Sequence, residues 1–326
     1  MSINLPKAKI YYVLCPSFHG ATLLSVVLNN HSQITSLGDT FPTREFDQIC
    51  TCRKKVSQCD FWQQLYNETS LNKFSQEDIW FPYLPQLIQQ DGRSTRSVNI
   101  FLNILMLGLT IPLGRIVWKL ASKPCQEYYE VYLDFVNFIA NRNQSFVFVD
   151  GSKTLFKPFF IQSYSNNEIP AKIIHITRNP LSYAYSFYKN YQKKSEINIE
   201  KYRNKILEDA AKKWLFQHQR ILKLKKLFLK ESSYLRISYD DFCDAPQANI
   251  VSILDFLELK HEDLLQSVIF PEKHHLMGNI SIFDFDGKIK PPSTWSSKLS
   301  NDEVKRIYTI TKPLLTEFNY ILEENV

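Results

Sequence analysis

The sequence predicts an α/β protein in which a parallel sheet is flanked by helices. Three observations lead to this prediction. Short apolar runs recur along the chain, and segments with helical periodicity separate them. The first run leads through a tight turn into a helix, which is typical of phosphate-binding α/β proteins. The hydrophobic fraction of 44% in 326 residues is sufficient for a sizeable core.

Five apolar runs bounded by turn signals are predicted to form the strands of this sheet. They are Ile10–Cys15, Ile34–Leu37, Phe146–Asp150, Lys172–Thr177 and Tyr234–Ser238. Because neighbouring parallel strands need crossover connections, the helical segments between these runs favour a parallel sheet.

Helices are predicted at residues 21–30, 201–229, 247–257 and 302–318. The long helix at 201–229 is amphipathic, and its apolar face carries Ile206, Ala210, Trp214, His218, Ile221 and Phe228. Residues 40–145 form a mostly helical insertion between the second and third strands. Since no linker or repeat divides the chain, residues 1–326 are expected to form a single domain in which this insertion acts as a cap.

Composition and charge limit the classes of function that the protein can have. The net charge of +6 is modest, and much of it comes from lysines between 189 and 230. These lysines form either solvated helix faces or a positive field that attracts an anionic ligand. No nucleic-acid module is recognisable. Met1–Lys9 has no signal-peptide pattern, so the six cysteines are expected to be reduced thiols in a cytoplasmic protein.

Residues 98–118 are strongly apolar, but Asn99, Asn103, Pro112 and Arg115 interrupt the run. A spanning helix needs about 20 apolar residues. The interruptions favour a buried helical hairpin or a lid that touches a membrane above a lipophilic ligand, so peripheral membrane association remains an alternative.

The most informative pair is Arg178 and Ser186. Arg178 ends the fourth apolar run, and Asn179-Pro180 has the composition of a helix start, with an N-cap followed by proline at the first helical position. Ser186 then lies two turns into the helix. A guanidinium, a hydroxyl and a helix N-terminus at the carboxyl end of a strand suit a phosphate.

This segment resembles the 3′-phosphate-binding segment of the sulfotransferases that use 3′-phosphoadenosine 5′-phosphosulfate (PAPS). That family pattern is an apolar strand, Arg, any residue, Pro, and Ser eight positions after the Arg. The resemblance extends in order from residue 10 to about 320. It implies a P-loop-like sheet, a PAPS donor and adenosine 3′,5′-bisphosphate as the product.

The loop after the first strand is similar to the family's 5′-phosphosulfate loop, Pro-Arg/Lys-Ser-Gly-Thr-Thr. The resemblance therefore implies a donor-binding role for the loop residues Ser17, Phe18, His19, Gly20, Ala21 and Thr22. Gly20 and Thr22 match the pattern. Phe18 stands at the basic position, His19 at the serine and Ala21 at the first threonine, so the loop lacks the family's cation.

Three further positions are implied to take part in catalysis. Asp39 falls at the acid that serves as base in carbohydrate and tyrosyl members, and a helix-capping turn is its alternative. Lys153, in a segment like the family's Asp-Ser-Ser-Lys, is expected to meet the sulfuryl end of the donor. His19 competes with Asp39 for the role of base. Gly278 and Asn279 resemble the late Gly-Asn segment that closes over the donor.

Cys50, Cys52 and Cys59 match a Cys-x-Cys…Cys-Pro-Phe-Trp segment of bacterial sulfotransferase-like sequences, with Arg53 at the glycine position. Three close cysteines suit structural packing, zinc or a redox role, and no fourth ligand is evident nearby in the sequence. No metal is expected to take part in the reaction.

The resemblance implies a PAPS-dependent sulfotransferase that acts on a hydroxyl or amine of a small-molecule, lipid or glycan acceptor, with residues 40–145 as the acceptor cap. The alternative is a catalytically impaired relative that binds a nucleotide or glycan, and Phe18 motivates it. A membrane-associated interaction protein is the third hypothesis, and it depends on residues 98–118 alone.

Overall fold

The computed structural model describes residues 7–38, 49–73, 122–155, 157–165, 167–195, 198–265, 274–276, 288–289 and 295–320. Asp39, Gly278, Asn279 and the apolar segment 98–118 lie outside these ranges, so the expectations about them remain predictions. Among the described residues, no helix has both the length and the apolar character needed to cross a membrane.

The described strands are β1 (Lys9–Leu14), β2 (Ile34–Thr35), β3 (Val147–Asp150), β4 (Ile173–Thr177) and β5 (Tyr234–Ser238). The described helices are α1 (Ala21–Leu28), α2 (Asp60–Glu68), α3 (Ser122–Asn143), α4 (Lys157–Tyr164), α5 (Pro180–Lys194), α6 (Arg203–Phe228), α7 (Tyr239–Asp244), α8 (Pro246–Leu257) and α9 (Asn301–Leu315). Short 3₁₀ turns occur at Val56–Gln58, Ser70–Lys73, Glu200–Tyr202 and Glu231–Ser233.

The strands form one sheet in the order β2-β3-β1-β4-β5, and helices flank this sheet. Strand β1 pairs in parallel with β3, with Ile10 opposite Phe148, and β2 also pairs in parallel with β3. The predicted fold class, a P-loop-like parallel sheet flanked by helices, is confirmed. Ligands of open α/β sheets bind beside the carboxyl ends of the strands.

By its internal contacts the chain divides into two compact units. Unit 1 comprises Met1–Val13, Thr22–Ile173 and Glu262–Gly287, and unit 2 comprises Leu14–Ala21, Ile174–His261 and Lys288–Val326. The expected single domain with residues 40–145 as its cap therefore stays a prediction.

The core of unit 1 is aromatic. It includes the fully buried side chains Trp62, Tyr132, Phe135, Phe148 and Phe160. The rings of Phe135 and Phe148 meet edge to face, with centroids 5.8 Å apart. This packing joins α3 to β3 and so holds the strand end that carries Asp150.

The core of unit 2 is formed where α5, α6 and α9 pack together, and it includes Leu181, Trp214, Ile307 and Phe318. The face of α6 differs slightly from the predicted one, because its buried residues are Leu207, Ala210, Ala211, Trp214, His218, Ile221 and Leu224. Helix α9 begins with a capping box in which Ser300 and Glu303 satisfy each other's backbone N–H groups. Residues 17–21 of the loop after β1, Arg178 and Ser186 belong to this unit.

Candidate functional site

The loop that follows β1 contains two residues with left-handed backbone. Phe18 and Gly20 both have positive φ, at 64° and 80°. Only glycine adopts this conformation at Gly20 without strain, and a Cβ there would lie 2.1 Å from Cδ2 of Tyr239. The Tyr239 ring thus closes over the turn, and Gly20 is required both by its dihedral angle and by this contact. Ala21 and Thr22 form the first turn of α1.

Arg178 follows β4, and its guanidinium is held against the same loop. One Nη1–H donates to the carbonyl oxygen of Phe18, and the guanidinium carbon lies 4.8 Å from the centroid of the Tyr239 ring. The Arg178 carbonyl accepts a hydrogen bond of 2.9 Å from Nε1 of Trp214. Backbone and side chain are therefore both fixed before any ligand binds.

Not every N–H donor of the Arg178 guanidinium has an acceptor among the described residues. Its side chain is 7% exposed, and the buried Nε–H has no hydrogen-bond partner among the described residues. Leaving a buried charged donor unpaired is costly. An anion that accepts from this guanidinium would remove the cost, so this donor set fits a phosphate.

The start of α5 contributes less to anion binding than the sequence suggests. Asn179 caps the helix by accepting from the backbone N–H of Leu181 at 2.9 Å, as predicted for this position. The backbone N–H of Asn179 donates to Oδ2 of Asp240 at 2.7 Å. Burial raises the pKa of Asp240. Because two backbone donors are already engaged, a phosphate here would depend mainly on the side chains of Arg178 and of half-buried Ser186.

Phe18 gives the loop an apolar rim where the family pattern has a cation. Its ring is 36% exposed, and it meets the Phe187 ring edge to face with centroids 6.2 Å apart. The ammonium of Lys213 lies 5.4 Å from the centroid of Phe187. Lys213 therefore brings a positive charge to this rim from α6, a neighbour that the spacing of the sequence motifs did not indicate.

His19 is engaged through both ring nitrogens. It is 1% exposed, its Nδ1 lies 3.0 Å from the carbonyl oxygen of Ser17, and its Nε2 lies 3.0 Å from Nε2 of His218. The contacts continue from Nδ1 of His218 to Nε2 of His175 at 2.8 Å, and from Nδ1 of His175 to the hydroxyl of Tyr234 at 2.6 Å.

One proton arrangement satisfies this histidine chain (His19, His218 and His175). A carbonyl only accepts, so Nδ1 of His19 donates to it and Nε2 accepts from His218. His218 then accepts at Nδ1 from His175, which in turn accepts at Nδ1 from the Tyr234 hydroxyl. All three rings are neutral in this arrangement. Burial is the main cause that holds the pKa of His175 and of His218 well below the ordinary value, and the charges of Arg236 and Lys225 add to it at His175.

We expect this chain to make the folded protein sensitive to acid. Because His175 and His218 stay neutral when folded, the unfolded chain binds more protons below about pH 6.5, and the free energy of unfolding falls as the pH decreases. Each histidine contributes a slope of up to about 1.4 kcal/mol per pH unit. Between pH 6.5 and 5, the free energy of unfolding measured with urea should therefore depend less steeply on pH in His218→Gln than in the wild type. The difference in slope should correspond to about one proton.

The matched control is His261→Gln. His261 is exposed and pairs with Asp255 at 2.8 Å, so this change should leave the slope near that of the wild type. If the free energy of unfolding of His218→Gln depends on pH as steeply as that of the wild type, a neutral His218 in the folded protein is contradicted.

Unit 1 holds the second predicted cation, Lys153, beside a buried ion pair that the sequence analysis missed. Nζ of Lys157 lies 3.1 Å from Oδ2 of Asp150 and donates to the Ser152 hydroxyl at 2.8 Å. The Asp150 carboxylate also accepts from the Tyr132 hydroxyl at 2.9 Å and from the backbone N–H of Ser152 at 2.9 Å. Lys153 is half-buried with a φ of 57°, so this cluster fixes the left-handed turn that carries it.

The comparisons with known proteins agree with the fold. The family model described as "Sulfotransferase family" matches residues 170–263, which include Arg178 and Ser186. No curated protein matches the chain.

Two solved structures illustrate the fold. The sulfotransferase domain of the Synechococcus PCC 7002 olefin synthase is 16% identical, with a TM-score of 0.50 over 99% of this chain and 98% of the other. Sulfotransferase STF9 from Mycobacterium avium is 11% identical, with a TM-score of 0.50 over 98% of this chain and 79% of the other.

At these identities the two structures establish the architecture alone, and the family match supplies the sequence evidence. Residues 170–263 match the model of the sulfotransferase family, and the chain has the fold of the solved sulfotransferases.

Proposed function

We propose that the protein transfers a sulfuryl group from PAPS to a hydroxyl or amine of a small-molecule, lipid or glycan acceptor. The observation that carries this proposal is the buried guanidinium of Arg178. It lies at the carboxyl end of β4, inside the family-matched segment, with an Nε–H that has no partner among the described residues. A fixed, buried cation at the carboxyl end of a parallel strand suits a nucleotide phosphate.

The proposal gives the described residues different tasks. Arg178 and Ser186 bind the 3′-phosphate, and the backbone of the turn at Gly20–Thr22 binds the 5′-phosphosulfate. Tyr239 holds both the glycine turn and the guanidinium in place. PAPS supplies the activated sulfuryl group when it is bound. Sulfuryl transfer, like phosphoryl transfer, depends chiefly on positioning and on cations near the developing negative charge, and Lys153 is assigned that role.

His19 is assigned a positioning role in this scheme. A general base needs a free lone pair within reach of the acceptor proton, and Nε2 of His19 already contacts His218. The ring therefore holds the loop in its turn. This leaves Asp39 as the proposed base, an assignment that comes from the family resemblance.

We expect Asp39→Asn to keep donor binding and to lose turnover. Removing a general base typically costs a factor of about 10²–10⁴ in rate. The measurement is sulfuryl transfer to a panel of hydroxyl and amine acceptors, combined with calorimetric titration of adenosine 3′,5′-bisphosphate into the variant. His19→Asn serves as the comparison and should mainly weaken the loop and nucleotide binding. If Asp39→Asn keeps wild-type turnover, another group is the base.

Phe18 favours a second candidate, a sulfotransferase-like protein that binds the nucleotide without transfer. An exposed phenyl ring cannot neutralise the phosphosulfate where the family has a cation. One experiment distinguishes the two candidate functions. Binding of the bisphosphate with no transfer to any acceptor in a broad lipid and glycan panel supports the second, whereas measurable transfer supports the first.

A further inference from the structure

The cysteines that resemble the family's Cys-x-Cys segment acquire a fourth partner in the folded chain. His274 lies 215 positions beyond Cys59, and its Nδ1 is 3.3 Å from Sγ of Cys50 and 3.3 Å from Sγ of Cys59. Sγ of Cys52 is 3.5 Å from Sγ of Cys59. The four atoms all lie within 4.8 Å of one another. We name these four residues the Cys₃His cluster.

Three of the separations between these atoms are close to those around a tetrahedral zinc ion. With Zn–S at 2.3 Å and Zn–N at about 2.0–2.1 Å, two sulfurs are separated by about 3.8 Å, and a sulfur and the nitrogen by about 3.6 Å. The separations of 3.5 Å and 3.3 Å differ from these values by only a few tenths of an ångström. Three thiolates and one imidazole are a common ligand set of structural zinc sites.

The protein fixes the cluster from several directions. Arg53 has a φ of 67° and turns the chain so that Cys50 and Cys52 face the same point. The imidazole of His274 stacks on the Phe61 ring, with centroids 4.6 Å apart and an interplanar angle of 5°. This stacking holds Nδ1 of His274 toward the sulfurs, as a ligand shell requires.

The two segments of the cluster also meet through their backbones. Cys50 forms an antiparallel bridge with Leu276, and the backbone N–H of Thr51 donates to the His275 carbonyl at 3.1 Å. The Thr51 hydroxyl accepts from the backbone N–H of His275 at 3.1 Å. Backbone hydrogen bonds therefore bring the two segments together, so the four side chains are positioned before an ion binds.

Charge and burial suit an ion at this position. Cys50 and Cys59 are buried, and Cys52 is half-buried. Zinc with three thiolates and a neutral imidazole carries one net negative charge. The exposed turn between the cysteines is basic at three consecutive positions, Arg53, Lys54 and Lys55, which compensates this charge.

We propose that Cys50, Cys52, Cys59 and His274 bind one structural zinc ion. Four protein ligands close the coordination sphere, so the ion takes no part in the chemistry and acts as a cross-link. The cross-link ties residues 50–59 to residues 274–276, and Gly38 packs on this second segment. A Cβ on Gly38 would lie 2.2 Å from the His275 ring. The zinc thus stabilises the backbone around Gly38, which bridges Leu276.

The first test is the metal content of the whole chain, isolated anaerobically without chelator from zinc-supplemented cells. We expect about one zinc per chain in the wild type and in the control Cys243→Ser, which removes a buried cysteine of unit 2. Cys52→Ser and His274→Ala should each lower zinc affinity at least 100-fold, more than the roughly 10–100-fold loss that an outer-shell change causes. Zinc contents of these variants equal to the wild type would overturn the proposal.

Cobalt substitution keeps the proposal testable if a variant fails to fold. Titration of the metal-free wild type with Co²⁺ should give a sulfur-to-cobalt charge-transfer band and the visible bands of a tetrahedral site. Removing the metal should also lower the melting temperature, and zinc should restore it. Absence of both zinc and the charge-transfer band would overturn the proposal. So would a Cys52–Cys59 disulfide in the anaerobically isolated protein, because these two sulfurs would then be unavailable as thiolates.

Discussion

Arg178→Ala is expected to weaken the binding of adenosine 3′,5′-bisphosphate about 10- to 100-fold while changing the affinity for adenosine 5′-phosphate less than about threefold. Hydrogen bonds to charged groups contribute about 1.5–3 kcal/mol, and 1.4 kcal/mol corresponds to a factor of ten. Most of the loss concerns the 3′-phosphate, since the monophosphate lacks the group that Arg178 is proposed to bind. The lost contact with the Phe18 carbonyl accounts for the smaller effect on the monophosphate. Calorimetric titration of both ligands measures this difference.

Arg236→Ala is the matched control for this change. Arg236 also lies in unit 2, donates from Nη1 to a backbone carbonyl, that of Phe318, at 3.1 Å, and stacks over an aromatic ring at 5.6 Å. Its removal should leave both affinities unchanged. Arg178→Lys keeps the charge and loses the planar fork, so we expect an intermediate result. Equal losses for the two nucleotides in Arg178→Ala would refute contact with the 3′-phosphate.

Asp150→Asn is expected to lower the free energy of unfolding by about 3–5 kcal/mol at neutral pH, because it leaves the buried ammonium of Lys157 without its counter-charge. Burial alone would raise the pKa of Asp150, but the Lys157 charge and the Ser152 hydrogen bonds outweigh it and hold the pKa below its ordinary value. The carboxylate is therefore ionised at neutral pH. Its stabilising contribution is present above the unfolded pKa of about 3.9 and is lost as the pH falls through the lower folded value.

Urea unfolding of a double-mutant cycle tests this ion pair. We expect Asp150→Asn combined with Lys157→Met to be much less destabilised than the sum of the two single changes, since no unpaired buried charge remains. Glu231→Gln is the control. It breaks a pair with Lys225 at the same distance of 3.1 Å, but Glu231 is exposed, so its effect should stay below about 1 kcal/mol. Additive losses in the cycle would contradict a coupled pair.

The sequence predicts the elements well where their signal is local. Strand β5 has the predicted bounds, Tyr234–Ser238, and α6 differs from the predicted helix by only a residue or two at each end. The N-cap role of Asn179 is also confirmed. Apolar periodicity, capping residues and proline act over a few positions, so they can be read from the chain alone. Strand β2 is shorter than predicted and ends at Thr35, although Ser36 and Leu37 continue the buried run.

The site is less predictable because its contacts join distant parts of the chain. Tyr239 resembles a core residue in sequence, and only the fold brings its ring onto the glycine turn and under Arg178. The link from His19 to His218 spans 199 positions. His274 completes the Cys₃His cluster from a segment that has no local metal-binding pattern. The roles of Asp39, Lys153, Gly278 and Asn279 come from the family resemblance and remain proposals.

Recognition of the 3′-phosphate is tested most directly by calorimetric titration of the wild type with adenosine 3′,5′-bisphosphate and, as the charge-matched comparison, adenosine 2′,5′-bisphosphate. A fixed guanidinium at the end of β4 should distinguish the position of the phosphate. We expect one site per chain with micromolar affinity for the 3′,5′-isomer and at least about tenfold weaker binding of the 2′,5′-isomer. No binding of the 3′,5′-isomer at millimolar concentration, or equal affinity for the two isomers, would contradict it.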